Sequence, residues 1–284
     1  HVSAMLTYEQ YQLAMSILRK LSATNAAHDA DAAEAESDAA NAVAKPAPVP
    51  VAVPVWLDGE FSIDQVQLDL FDEHAKTPEL LRSSQLFQFK LNEMRVKVHQ
   101  APRQHLEAEL AIRSFTATDT RPSRETHFRE IVPAITHDGQ QLLLNYTQEA
   151  DGDALAIVTI DSPKLIFSLD PLFALVNFLA LPEVESPKAP AATVPSERKL
   201  SFRVNIVEPR IILLSAPERS DSQAIVLMLR QAVISQQAVL ALSMTRLGIF
   251  VWRMNAPKDR QRLLNDVDVS LTMDLKMTPT GQIT

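Results

Sequence analysis

Residues 86–98, LFQFKLNEMRVKV, alternate apolar and polar side chains, miss one beat, and resume on the other parity: Phe87, Phe89 and Leu91 give way to Met94, Val96 and Val98. Alternation marks a half-buried strand, and a single extra residue that restores the facing is what a β-bulge inserts. The same step separates Ile63 from Val66, Ile112 from Phe115, Ile160 from Pro163, Ile206 from Pro209, Leu229 from Ala232, Met244 from Leu247 and Leu264 from Val267. Each segment therefore reads as one long strand, bent near its middle and apolar along one side. Such strands run to roughly twice the usual 5 or 6 residues.

Working outward, five strand signals lie before residue 170, at 61–71, 86–98, 105–118, 140–147 and 154–169, and four follow, at 199–214, 223–235, 238–254 and 263–277. Asp58-Gly59, Asp138-Gly139 and Asp151-Gly152 stand where tight reversals are expected, because Gly accepts positive φ. Pro163 and Pro209 fall at parity steps, where a missing N–H is tolerated. The expected fold is mainly β: a long, curved, twisted antiparallel sheet forming an open hydrophobic groove, with a few short helices. The segment SFRVNIVEPRIILL (201–214) echoes EFSIDQVQLDLF (60–71), which suggests a repeating unit of about five strands and a crossover.

Residues 7–21 read as an amphipathic helix, with Thr7 and Gln10 matching a capping box and Ala14, Ile17, Leu18 and Leu21 on one face. Asp170 caps a second, short helix with Pro171 at its first position, ended by Pro182. The first five residues, HVSAM, have no signal-peptide pattern, read as a junction, and contribute nothing to the expected fold. The expected organisation is an N-terminal segment with its helix (1–21), a disordered low-complexity linker (22–55), a first β-groove unit with crossover helix (56–181), a second linker (182–198) and a second, truncated unit (199–284).

The chain of 284 residues carries a net charge of -8 and no run of Lys or Arg, which argues against nucleic acid as a partner. It has no cysteine, in keeping with a reducing compartment such as the cytosol, and its most apolar central stretch, about a dozen residues, is short of the roughly 20 a membrane helix needs. Five Gly allow neither a dinucleotide fingerprint nor a phosphate loop, and no G-x-S-x-G occurs. His28, His74, His99, His105, His127 and His137 are scattered without metal-ligand spacing, and His28 with Asp29 and Asp31 sits in the linker. Asp151 and Asp153 read as a solvated hairpin tip, and Arg121, Arg124 and Arg129 with Glu125 and Glu130 as a solvated loop that could alternatively touch lipid headgroups. No enzyme, cofactor or metal is expected.

A buried Leu or Phe is worth roughly 1.5–3 kcal/mol, so the apolar sides must meet protein or another apolar phase. Three arrangements would do this: a closed sandwich or barrel, an outer-membrane barrel, for which the three Tyr and two Trp make no aromatic girdles, or an open trough. Parity places Phe61, Ile63, Val66, Leu68, Phe87, Phe89, Leu91, Met94, Val96, Leu110, Ile112, Phe115, Leu165, Phe167, Phe202, Val204, Ile206, Ile211, Leu242 and Leu247 on the inward side, with packing against the crossover helix as the alternative for any one of them. Ser62, Asp64, Gln67, Asp69, Gln88, Lys90, Arg95, Lys97, Arg203 and Asn205 face outward to water.

Four stretches, residues 72–100, FREIVPAITHDG (128–139), TIDSPKLIFSLDPLFALVNF (159–178) and 207–244, resemble the large fungal vacuolar protein sorting-associated proteins of the chorein, bridge-like lipid-transfer family. The likeness runs from about Trp56 to Thr284 and is one of extended local sequence rather than of a catalytic motif. It implies an internal fragment of a rod of repeating β-groove units that conducts phospholipids between organelle membranes at contact sites, peripheral on their cytoplasmic side. The inward residues would line that conduit. The implied partners are phospholipids or other acyl lipids and the remaining β-groove units, with a possible protein partner for helix 7–21. The alternative is a β-rich scaffold or adaptor-docking segment without lipid transport.

Overall fold

In the computed structural model the described residues are 1–17, 57–72, 83–101, 105–122, 125–180, 200–237 and 239–273. The linkers expected at 22–55 and 182–198 lie outside them. The chain runs through β1 (Val2–Thr7), a helix α1 over residues 8–17, β2 (Leu57–Phe71), β3 (Gln85–Gln100), β4 (Leu106–Asp119), β5 (Glu130–Val132), β6 (Leu142–Gln148) and β7 (Ala154–Asp161). It continues through β8 (Lys164–Phe167), a helix α2 (Leu169–Leu179), β9 (Leu200–Val207), β10 (Arg210–Leu214), β11 (Gln223–Met228), β12 (Gln231–Gln236), β13 (Leu240–Arg253) and β14 (Ala256–Met273).

All fourteen strands belong to one open sheet, ordered β1-β2-β3-β4-β6-β7-β9-β12-β13-β11-β10-β8, with β14 on β13 and β5 on β4. The pairs β7–β8, β9–β10 and β11–β12 are each one long strand broken at its parity step. β8, β10 and β11 carry on, beyond the break, the rows that β7, β9 and β12 begin. Most pairings are antiparallel, as expected. Three are parallel, β1 with β2, β7 with β9 and β8 with β10, so the sheet is mixed. A parallel neighbour requires a crossover, and the same one is used twice: β1 leads through α1 and returns at β2, and β8 leads through α2 and returns at β9 and β10.

The four non-glycine residues with positive φ, Glu93, Ser162, Glu208 and Arg246, all stand at parity steps read from the sequence. An L-residue in the left-handed region is costly, so a recurrence at one level of strand after strand is a built device. Hydrogen bonds continue through the step: Ser162 N–H donates to Val207 O at 2.8 Å, Glu208 N–H to Arg230 O at 2.9 Å and Arg230 N–H to Thr245 O at 3.0 Å. Pro163 and Pro209, which have no N–H to give, accept from Arg210 N–H and Leu229 N–H through their carbonyls. A transverse line of bulges thus divides the sheet into two portions and bends the strands that cross it.

Several expectations are corrected. HVSAM is no idle junction: Val2–Thr7 forms β1, in register with residues 66–71 of β2. Asp58-Gly59 makes no turn but lies inside β2, where Gly59 opposes Val98. Gly152, at φ 91°, does make its turn, and Asp151 Oδ1 accepts the Asp153 N–H at 3.0 Å. The capping box holds, with Thr7 N–H donating to Gln10 Oε1 (3.0 Å) and Gln10 N–H to Thr7 Oγ1 (3.3 Å), although α1 is described only to residue 17. α2 starts before Asp170, with Ser168 at its N-cap and Pro171 within the first turn, where its missing N–H costs nothing.

Two compact clusters hold the fold. Leu70, Phe87 and Phe178 are buried together with Leu6, Tyr8, Tyr11, Leu68, Phe89, Ile131 and Leu175 around them, so α1 and α2 close over one end of β2 and β3. Tyr8 meets the Phe178 ring edge-to-face at 5.7 Å and Tyr11 lies tilted against it at 5.6 Å, and the two donate their hydroxyls to Ala180 O and Leu179 O. The second cluster is Ile166, Ile212, Leu214, Ala224 and Val226, with Phe128, Trp252 and Met254 against it. The loop bearing Phe128 is pinned by His127 N–H and Thr126 Oγ1–H, both donating to Pro217 O. Of the solvated loop expected at Arg121, Arg124 and Arg129, Arg124 lies outside the described residues, and Arg121 and Arg129 are tied to the fold. Arg121 is nearly buried between Asp119 (2.6 Å) and Asp170 (2.9 Å), and Arg129 donates to the carbonyls of Asp119 and Arg121.

Candidate functional site

Cross-strand register decides which side chains share a face. Reading across the sheet, one unbroken row is Phe61–Val96–Leu110–Leu144–Val158–Val204–Ile234–Leu242–Leu271. The row beside it is Ile63–Met94–Ile112–Leu142–Ile160–Ile206–Ala232–Met244–Val269. Two adjacent rows of nine strands are thus wholly apolar, and no residue of the first row is buried; Phe61 is 57% exposed and Leu271 58%. In the second row only Ile112 and Ala232 are buried.

The opposite face of the same strands is polar over most of its width: Glu60, Lys97, Glu109 and Asn145 stand in one register row, with Lys97 Nζ 3.7 Å from Glu109 and Arg95 Nε 3.3 Å from Glu60. Asp69, expected to face water, is on this side but buried, because Gln67, Gln85 and Gln88 donate to its carboxylate at 2.7–3.0 Å.

Beyond the bulge line, Leu165, Ile211, Leu227, Ile249 and Leu264 form a further apolar row, in which Leu165 and Leu264 are each 37% exposed. Phe167 and Leu213 are the next register pair, and Leu247 opposes Val267. On the β2–β4 side the continuation is Val66–Leu91–Phe115, then Leu68–Phe89, and then Phe87. Phe202 lies one row out from Val204, opposite Ala156.

Cross-strand register thus sets the backbone positions of the twenty residues selected by parity in neighbouring rows. Phe87 packs against the helices, fully buried beneath α1 and α2 with Arg121 over its ring at 5.8 Å, and Leu68 and Phe89 join the same cluster partly buried. Sequence reasoning omitted Leu142, Leu144, Val158, Ile160, Ile234, Met244, Val269 and Leu271, whose parity matches their neighbours but whose alignment depends on register.

A cavity of about 320 Å³ sits away from these rows, lined by Asp119, Arg121, Phe128, Ile166, Asp170 and Leu214 among others, where Arg121 is already neutralised by its two carboxylates. Among the described residues no group of three or more His, Asp or Glu is placed to hold a metal, and no helix is long and apolar enough to cross a membrane.

An open sheet with one bare apolar face and a largely polar back defines a β-groove segment. Compared with known proteins, the chain is 29% identical over 280 aligned residues to the intermembrane lipid transfer protein VPS13 of Chaetomium thermophilum, a match that takes in 80% of this chain and 9% of that protein. No family model matches the chain. No solved structure gives a significant match. The resemblance read from the sequence is borne out: the chain is VPS13-like, and it spans under a tenth of the length of that relative.

Proposed function

We propose that the chain is a section of a non-enzymatic, bridge-like lipid conduit, in which acyl tails lie along the apolar rows and headgroups project into water from the open side. The observation that carries this reading is the nine-residue row from Phe61 to Leu271, apolar in every member and buried in none. Leaving such a row wet is costly, at about 25 cal/mol per Å² of apolar surface. A hydrocarbon chain satisfies it with dispersion contacts alone, so no specific polar group is required.

The proposed lining is the set of twenty residues placed by parity, with Phe87 serving as the wall beneath the helices, extended by the neighbours that register adds. The lipids and the remaining β-groove units of a longer protein are the proposed partners, at the cytoplasmic side of organelle contact sites. Residues 56–181 and 199–284 act as successive units joined by the β7–β9 pairing. β14, eighteen residues long and paired on one side by β13, offers the edge on which a next unit would continue the sheet.

The test is lipid content. Purified chain should carry phospholipid detectable by native mass spectrometry and by solvent extraction. Leu110→Asp, Val158→Lys and Val204→Asp together, three members of one row, should strip it while the circular dichroism spectrum stays that of a folded β protein. Wild-type chain free of lipid, and unable to take up a fluorescent acyl lipid from vesicles, would leave the scaffold reading in its place.

A further inference from the structure

On the back of the sheet, one residue out of phase with the row Leu165–Ile211–Leu227–Ile249, runs the row Lys164–Arg210–Met228–Gly248. Beside it the bulge line turns Arg230 and Arg246 outward, and β14 contributes Arg260 and Arg262. These five arginines surround a cavity of about 470 Å³ whose floor is Met228, Leu229 and Phe250 and whose acidic members are Glu208 and Asp266.

In a chain of net charge -8 this is a local excess of positive charge, assembled from positions that no sequence run brings together. Among the described residues only Arg262 of the five has a carboxylate partner, Asp266 at 3.1 Å. Asp268 takes the backbone N–H of Arg246, and no ion pair joins it to that side chain. Arg260 and Arg262 lie over the Phe250 ring at 5.4 and 5.0 Å, so a cation–π contact draws each guanidinium toward the cavity floor. Gly248 makes room for this arrangement: a Cβ there would stand 3.0 Å from the Phe250 ring and 3.1 Å from Asp266 Oδ1.

We propose that this cavity is an anion-binding site for a small molecule bearing several phosphate groups. Its volume falls within the roughly 300–1,000 Å³ of small-molecule sites, and a planar donor fork matched to phosphate oxygens is what arginine, rather than lysine, provides. Burial and the adjacent Arg210 hold the Lys164 ammonium below its ordinary pKa, with Glu130 opposing them, as expected where like charges crowd together. The site is on the opposite face from the apolar rows and stands independently of the conduit.

The test is titration of the full chain with inositol hexakisphosphate, followed by calorimetry, with pyrophosphate as competitor. Parallel flotation uses vesicles of phosphatidylcholine with and without a phosphatidylinositol phosphate. Saturable binding that weakens about tenfold in Arg230→Gln, about tenfold in Arg246→Asn (Asn tolerating the positive φ), and further in the double variant is expected, since each removes a charge-assisted hydrogen bond to the anion. Binding of the soluble polyphosphate assigns a free ligand, and binding confined to the phosphoinositide vesicles assigns a headgroup; either supports the site.

Arg95→Gln with Lys97→Gln, on the same side but across the sheet, removes two charges and should leave binding unchanged. No binding to either probe, or equal loss in the Arg95/Lys97 control, overturns the proposal. The triple row variant that strips lipid should keep the anion site, so the two readings fail separately. Thermal melts of each variant distinguish lost contacts from lost fold.

Discussion

The two portions of the sheet on either side of the bulge line use one backbone pattern for opposite ends. On the side of Phe61 and Leu271 the strands have a bare apolar face and a polar back, and little packs on either. On the other side both parities become apolar in Arg210–Leu214 and Gln223–Met228, where Val226 and Ile212 are buried beneath Phe128 and Met254, while in β2 and β3 the single apolar face is itself covered, Leu70 and Phe87 lying beneath α1 and α2. The chain thus anchors itself in two ways, by apolar runs on both parities and by helices laid over the alternating face, and leaves open the alternating face that nothing covers. Stability and accessibility are placed in different portions of the same strands.

The sharpest way to break that contrast is Phe87→Ala in the covered portion. It removes a fully buried ring that packs on Leu70 and Phe178, and should cost about 3–5 kcal/mol, read as a lower midpoint in denaturant. Arg121→Met, in the same portion, takes the guanidinium away from the buried Asp119, for about 3 kcal/mol. A midpoint unchanged by either would mean that the helices do not tie down this end.

In the open portion, the Leu110, Val158 and Val204 row variant should shift the midpoint by far less than Phe87→Ala, yet abolish lipid retention. An equally large loss of stability would show that the bare face is a packed one in solution.

The smallest effect lies at the rim, where His105 sits 3.0 Å from Glu107 and 3.3 Å from Glu149. Its hydrogen bond to Glu107, aided by the charge of Glu149 and opposed by desolvation, holds the imidazole above its ordinary pKa. The link is therefore fully present below the ordinary histidine value and is lost as pH rises through the elevated one. NMR titration should find the midpoint above that of a free histidine and lowered again in Glu107→Gln.

Much of this architecture was legible because a β-strand's side chains have a period of two, so each break in alternation, as at Asn92-Glu93 or Thr245-Arg246, pointed to a backbone irregularity that the dihedrals bear out at Glu93, Ser162, Glu208 and Arg246. What stayed illegible depends on partners distant in the chain. Val2–Thr7 has too few alternating residues to declare itself a strand without β2 alongside, and Glu130–Val132 is a strand only through Ala117 and Thr118. Parity could select Leu110 and Val204, but only register reveals that Leu144 and Val158 join them into one row. The arginine cavity is further still from the sequence, since Arg210, Arg230, Arg246 and Arg262 come from different strands and turns.

Because the irregular step falls at the same level in strand after strand, bore and reach are governed by separate variables. Strand length sets how wide the channel-like cross-section is, while each added strand extends the molecule by about 4.8 Å along its axis. The nine strands traversed by the Phe61–Leu271 row accordingly account for about 40 Å, and evolution could tune span by duplication without retooling the profile.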